Sequence, residues 1–509
     1  MMPQREGIIL NSSEQWDEIK QDYDPEWAAN GELKPAWRPI GPMPKHKRML
    51  SRITTSLSHL PRVLPAPEKL RPTAYLDGLR GFAALLVYWH HHQLWAHGTA
   101  GLNGYFENGF GYEGKFSWVA FPVIRHFFTG GHFSVATFFI ISGYVLSLKP
   151  MSLIHAGDHG KLGDTVSSAM FRRWPRLYIP LIVVMLAYAM TWHITGMWVN
   201  GAKPAGNWRD EAWAFYLEFK NFSFVYKEGG LPWLSYNFHL WSIPVEFKGS
   251  MVVYVAQLAL SRCSRKARLL CEVGLIWYFM FVADGWFCAM FIQGMLLCDL
   301  ELLAKKGELP NFIARLEPVK DFIYAHMFVI AMYLGGIPSQ TTEVSQLAKN
   351  RGWYYLSWFK PQAVFDYKWF YLWIAATFLV VSIPRLPLLK RFFETRFCQF
   401  LGRVSFALYM VHGPVLWTIG DRLYMAAGWF TDEHMKHIAH WANALHLPRV
   451  GPLGLEVSFL VPQIVLLPLT LLIAEFVTRA VDTPTVDFAA WLYRKTLGPE
   501  PLPVKQAKA

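Results

Sequence analysis

The chain has 509 residues, of which 53% are hydrophobic, 16% aromatic and 17% charged. An ordinary soluble domain carries about a quarter charged residues, so there is too little charge here to cover globules in water. Its apolar residues arrive in spans of about 20, the length of a membrane helix, and the composition excludes disordered, collagen-like and disulfide-scaffold classes.

Cys263, Cys271, Cys288, Cys298 and Cys398 form no C-x-x-C pair, and most lie in apolar spans as small buried hydrophobes. The net charge of +12 is spread over short clusters between apolar spans. That is how cytoplasmic loops of membrane proteins look, and it argues against nucleic acid as a partner.

Residues 1–72 form a polar, proline-rich segment holding Lys45, Lys47, Arg48, Arg52, Arg62, Lys69 and Arg71 close to the first apolar span. No signal-peptide pattern opens it, so the first span is expected to serve as the insertion signal, with the N-terminus in the cytosol. Apolar spans follow at 74–95, 126–148, 177–198, 238–260, 269–284, 286–303, 321–338, 369–384, 404–420 and 455–480. Basic clusters follow every even-numbered span: Arg172, Arg173 and Arg176; Arg262, Arg265, Lys266 and Arg268; Lys305 and Lys306. Arg385, Lys390, Arg391, Arg396 and Arg403 follow the eighth, and Arg494, Lys495, Lys505 and Lys508 the tenth. The expectation is an all-α, polytopic bundle of about ten transmembrane helices with both termini cytosolic. Its parts are the N-terminal segment 1–72, a membrane domain over 73–485 and a short cytosolic tail, 486–509. Loops 97–125, 199–237, 339–368 and 421–454 then face outward, with Asp284 and Gly285 as the whole turn between spans five and six. This orientation leaves the sequon at Asn11 in the cytosol and that at Asn221 in the lumen.

Span one, YLDGLRGFAALLVYWHHHQLWAHG, carries Asp77, Arg80, His90, His91 and His92. Ionisable groups in hydrocarbon cost roughly 2.5–3.5 kcal/mol each and usually face a protein-lined cavity. Arg80 and His91 are three helical turns apart, on one face, about 16 Å from each other. Snorkelling of Arg80 and outer-end capping by the histidines is the competing structural explanation. A metal site of His90, His91 and His92 is disfavoured because consecutive helical residues cannot converge on one ion, and no metal is expected.

Span two, GHFSVATFFIISGYVLS, sets Ser142 and Gly143 among bulky neighbours, a pattern more often seen in close helix packing than in chemistry. In FRRWPRLYIP, Arg173 and Arg176 are one turn apart at the inner face, suited to membrane anchoring or to a phosphate-rich ligand from the cytosol. Span four, FHLWSIPVEFKGS, puts Glu246 at a depth where it needs a partner, and a histidine would serve. Span nine, LGRVSFALYMVHGPVL, adds Ser405, Tyr409 and His412.

Taken in this order, LDGLRGFAALLVYWHH, GHFSVATFFIISGYVLS, FRRWPRLYIP, LWSIPVEF and LGRVSFALYMVHGPVL resemble acyltransferase family 3, over about residues 73–485 and most like its fungal members. The family's Arg followed eleven positions later by His matches Arg80 and His91. Its Arg-x-x-Arg matches Arg173 and Arg176, and its Trp-Ser-x-x-x-Glu matches Trp241, Ser242 and Glu246. Relatives often have Glu before the proline ending the last span, whereas here Asp482, Thr483 and Pro484 stand in sequence; this position is read as structural.

The resemblance implies transfer of an acyl group, usually acetyl, from acyl-CoA to a hydroxyl of a sugar, glycan or natural product, with no permanently bound cofactor. His91 would act as general base, Glu246 would orient its imidazole, and Arg80 would help hold the donor. Arg173, Arg176, Trp241, Ser242, Ser142, Tyr409 and His412 are the candidate binding residues. An acyl-His intermediate is an open variant of the same chemistry. The rival class is a transporter or flippase of an amphipathic small molecule, since polar residues on membrane helices also mark substrate pathways. An endomembrane or the plasma membrane is the expected location.

Overall fold

The computed structural model describes residues 70–226 and 232–498. Most of segment 1–72, the sequon at Asn11 and the end of the C-terminal tail therefore lie outside the described residues. Within them the chain is helical, apart from one isolated bridge between Tyr112 and Lys115. The longer helices are α1 (Ala74–Gly98), α2 (Gly131–Ala156), α3 (His159–Thr195), α4 (Trp208–Phe222), α5 (Ser242–Leu260) and α6 (Arg265–Phe281). They continue as α7 (Trp286–Lys305), α8 (Lys320–Leu334), α9 (Lys368–Ser382), α10 (Arg396–Val415), α11 (Val457–Val477) and α12 (Thr483–Thr496).

Each predicted span overlaps one of these helices. Among the described residues, five stretches are long and apolar enough to cross a membrane: Gly131–Ala156, His159–Thr195, Phe238–Leu260, Trp286–Lys305 and Val457–Thr496. A sixth results if Lys368–Arg385 and Pro387–Phe393, bent by 97° to each other, form one span. α6 and α8 are short for a crossing, at 17 and 15 residues. α1 is long but polar for a membrane helix, because of Asp77, Arg80 and its histidines.

The structure departs from the sequence reading most clearly at α3. Hydropathy starts the span at 177, yet the helix begins at His159, where the Asp158 carboxylate accepts from the Lys161 amide. Its 37 residues span about 55 Å, well beyond a hydrocarbon core of about 30 Å. Arg173 and Arg176 therefore sit on a rigid helix rather than on a loop. Gly196, at φ 66°, supplies the left-handed cap that ends it. The tight turn between α6 and α7 falls where it is predicted, with Asp284 in the left-handed region at φ 48°.

Among the described residues, two crossings of the longer helices bring their backbones close together. A Cβ on Gly143 of α2 would lie 2.0 Å from the Phe291 carbonyl oxygen of α7, so only glycine fits there. One on Gly81 of α1 would lie 2.1 Å from the Gly402 nitrogen of α10. The two crossings lie in two separate cores. One is built mainly by α2, α5, α7 and α9, the other by α1, α3, α10 and α11. The polar residues of α1, α5 and α10 meet along the seam.

Candidate active site

A short 3₁₀ turn, Phe238–Trp241, leads into α5, and Asn237 caps it by accepting from the His239 amide at 3.1 Å. This turn aims His239 at the seam between α1 and α10. There the His239 ring stacks on His91 with centroids 3.5 Å apart and planes 15° apart. His91 Nδ1 lies 2.9 Å from His412 Nε2 of α10. His412 Nδ1 in turn lies 3.2 Å from the Leu408 carbonyl oxygen, one turn back on its own helix.

These contacts settle the proton positions when both rings are neutral. A carbonyl only accepts, so His412 Nδ1 carries the hydrogen and its Nε2 is the acceptor. His91 must then donate from Nδ1, which leaves the lone pair on its Nε2. His239 and His412 are buried, while His91 is partly exposed. The ring with the free lone pair is thus the accessible one.

A cavity of about 100 Å³ opens beside the trio. Arg80, Ser142, Ser242, Glu246, Ser405 and Tyr409 supply its polar lining, and Phe138, Phe139, Leu177, Ile243 and Phe406 its apolar wall. Tyr409 precedes His412 by about one helical turn, and Ser242 follows His239 by about one, so the cavity adjoins the histidines on one side. The Tyr409 hydroxyl donates to the His239 carbonyl oxygen and stands 2.7 Å from Ser242 Oγ. Having spent its hydrogen, it accepts from Ser242.

Five of the candidate residues (Arg80, Ser142, Ser242, Glu246 and Tyr409) thus share one cavity, and His91 and His412 share one hydrogen bond. Ser142 serves the cavity and not only packing: it lines the wall together with Glu246. Trp241 packs edge-on to Trp369 at 5.6 Å, outside the cavity lining. His90 and His92 have other partners: His90 meets the His132 ring at 5.6 Å, and His92 Nδ1 lies 2.7 Å from the Tyr424 hydroxyl.

The expected pairing of Glu246 with His91 is not formed. Arg173 donates to the Glu246 carboxylate from Nη2 and, from Nε, to Ser250 Oγ at 2.9 Å. The place beside His91 Nδ1 belongs to His412. The cause is a matter of depth: His239 is level with His91, so Glu246, seven residues further along, lies about 10 Å deeper. Arg173 is therefore engaged inside the protein. Arg176 is also buried, within electrostatic reach of Asp482, which a π-turn at the end of α11 carries into the bundle. Arg80 donates to Asp77 Oδ1 at 3.0 Å while still lining the cavity. His239 is the residue the sequence reading missed. Its signal lies in FHLWSIPVEF, one turn before Ser242.

The comparisons with known proteins bear on what such a site does. A family model described as an acyltransferase domain matches residues 73–474. The chain belongs to that family. It is 30% identical to the O-acetyltransferase PaAT-1 of Phomopsis amygdali over 86% of this chain and 88% of that one. It is 22% identical to the acyltransferase clz18 of Cochliobolus lunatus over 84% and 97% of the two chains. No solved structure matches. The protein is an acyltransferase with apolar membrane helices and fungal relatives, which decides between the enzyme and transporter readings.

Proposed function

We propose that this acyltransferase works within a membrane, crossing it about ten times with both termini in the cytosol, and acylates a hydroxyl group at the expense of acyl-CoA. The donor enters from the cytosolic side, past the arginines of α1 and α3, and its thioester reaches the cavity next to the histidine trio. Acetyl is the acyl group favoured by the O-acetyltransferase name of the relative in Phomopsis amygdali. The acceptor is a hydroxylated small molecule or carbohydrate.

The carrying observation is the chain from the Leu408 carbonyl through His412 to His91 Nδ1, which leaves His91 Nε2 as the base. In the reaction His91 Nε2 takes the acceptor's hydroxyl proton as the oxygen attacks the thioester carbon. The carbon–sulfur bond breaks, and the proton passes from His91 to the departing thiolate. Ester and free thiol result, with no net proton released. His412 is a positioning residue: it holds the tautomer and accepts the hydrogen bond that strengthens as His91 becomes imidazolium. Arg80 and Arg176 supply positive charge toward the cytosolic end of the path. Glu246, on the cavity wall, serves by pairing with the buried Arg173.

The direct test is turnover of acetyl-CoA by the purified full-length chain, including slow hydrolysis in the absence of acceptor. A protein that neither hydrolyses acetyl-CoA nor acylates any hydroxyl acceptor would contradict the donor assignment.

A further inference from the structure

The histidine trio has a second chemical capacity, which rests on the reading of His91 as base. We propose that His91, His239 and His412 bind one borderline-soft divalent cation of the zinc class, and that the bound ion shuts the acyltransferase off. The three residues come from α1, the turn before α5, and α10, so they converge as consecutive histidines on one helix cannot. One ring nitrogen from each lies within 4.8 Å of the other two. Tetrahedral zinc sites hold imidazole nitrogens at about 2.0–2.1 Å from the metal, hence about 3.3–3.4 Å from each other. The His91–His412 pair, at 2.9 Å, need open only slightly to reach that spacing, whereas the His239 ring must turn out of its stack on His91.

Two further observations favour an ion. His239 Nδ1 is buried with no hydrogen-bond partner among the described residues. Buried ring nitrogens are ordinarily satisfied, and a cation would supply what this one lacks. His412 already has the outer support of a metal ligand, its Nδ1 turned to the Leu408 carbonyl. The stacked His239 ring must tilt to coordinate. Gly413 faces it without a side chain, and a Cβ there would lie 3.1 Å from His239 Nδ1. All-imidazole ligation selects zinc, copper, cobalt or nickel over magnesium and calcium.

The consequence for turnover follows from lone pairs. A neutral imidazole has one. Whichever nitrogen His91 gives to the ion, none remains to take the acceptor's proton. The ion and the hydroxyl substrate therefore compete for the same electron pair.

The experiment uses full-length protein in detergent, stripped with a chelator and titrated with cobalt(II) chloride and zinc chloride. One ion per chain should bind in the micromolar range, with the visible absorption of four-coordinate cobalt, and turnover should fall more than tenfold as the site fills. Magnesium chloride should do neither. His239→Phe and His412→Phe each remove a ligand and keep an aromatic ring. Each should weaken cobalt binding by more than the roughly 10–100-fold that losing an outer-shell partner costs, with inhibition scored against the variant's own metal-free turnover. Matching size-exclusion profiles establish that both variants fold. Absence of cobalt absorption, or binding unchanged in both variants, overturns the site. A filled site with undiminished turnover overturns the block. Failure of the general-base reading is separate, since it shows in metal-free His91→Ala and leaves the absorption unaffected.

Discussion

His91 and His412, 321 residues apart in sequence, share a hydrogen bond of 2.9 Å whose direction is dictated by a backbone carbonyl on the far side of His412. This geometry does for His91 what a carboxylate does in a serine-protease triad, holding the tautomer that leaves the outer nitrogen basic. It differs in carrying no negative charge. The imidazolium formed during turnover is thus stabilised by a neutral acceptor.

Replacement of His412 should separate positioning from binding. His412→Phe is expected to lower kcat by about 100-fold or more, because His91 then loses the partner that fixes its tautomer. KM for the donor should stay within about twofold of wild type. His412→Gln, whose side-chain oxygen can accept from His91 Nδ1, should recover a large part of the loss. Equal defects in kcat and in donor KM, with no rescue by Gln, would mark a merely structural role.

The Arg173–Glu246 pair predicts a stability coupling. Both side chains are largely buried, at 5% and 17% exposure. Removing one partner strands a charge, which typically costs about 3–5 kcal/mol. Arg173→Gln should lower the melting temperature of the detergent-solubilised protein sharply. Adding Glu246→Gln to it should restore most of the difference, whereas additive losses would deny the pairing.

Acid sensitivity should come from Glu211 of α4. Burial would raise the Glu211 carboxyl, but hydrogen bonds from Tyr236, the Ala205 amide, His193 and Trp192 outweigh it and hold its pKa below the ordinary 4.5. A carboxyl depressed by folding contributes stability that is present above the unfolded value and is lost as pH falls through the lower, folded one. Melting temperature should therefore decline from roughly pH 5 downward. Glu211→Gln should be less stable at neutral pH and flatter across that range. An unchanged acid limb in the variant would locate the sensitivity elsewhere.

Orientation can be read from glycosylation in a eukaryotic host. Asn221 is exposed near the end of α4, in the loop assigned to the lumen. Mass spectrometry should find glycan on Asn221 and none on Asn11. Glycan on Asn11 would reverse the proposed topology.

The helices were legible because apolar runs and basic clusters alternate along the chain, and the cavity residues because charged or hydroxylated groups are costly in such runs. What was not legible is rotational and axial registration. Residues 159–176 of α3 carry too much charge for hydropathy to mark them, although a capped helix runs through them. The sequence pairs Glu246 with His91 on its need for a partner at depth and on the family resemblance. The 3₁₀ turn at 238–241 instead puts His239 level with His91 and gives Glu246 to Arg173. His239 escaped notice because a single histidine at a span entry carries no periodicity of its own. Its significance appears only when α1 and α10 are seen beside it.

The central claim is that His91 is the base, and single-turnover acyl transfer with His91→Ala tests it most directly, alongside donor affinity in the same preparation. The variant should bind acetyl-CoA as wild type does and transfer the acyl group about 10²–10⁴-fold more slowly, the range expected for loss of a general base. His90→Ala and His92→Ala should be much milder, since their rings face His132 and Tyr424 instead. Near-normal transfer by His91→Ala, or a greater loss in His90→Ala, would contradict the account.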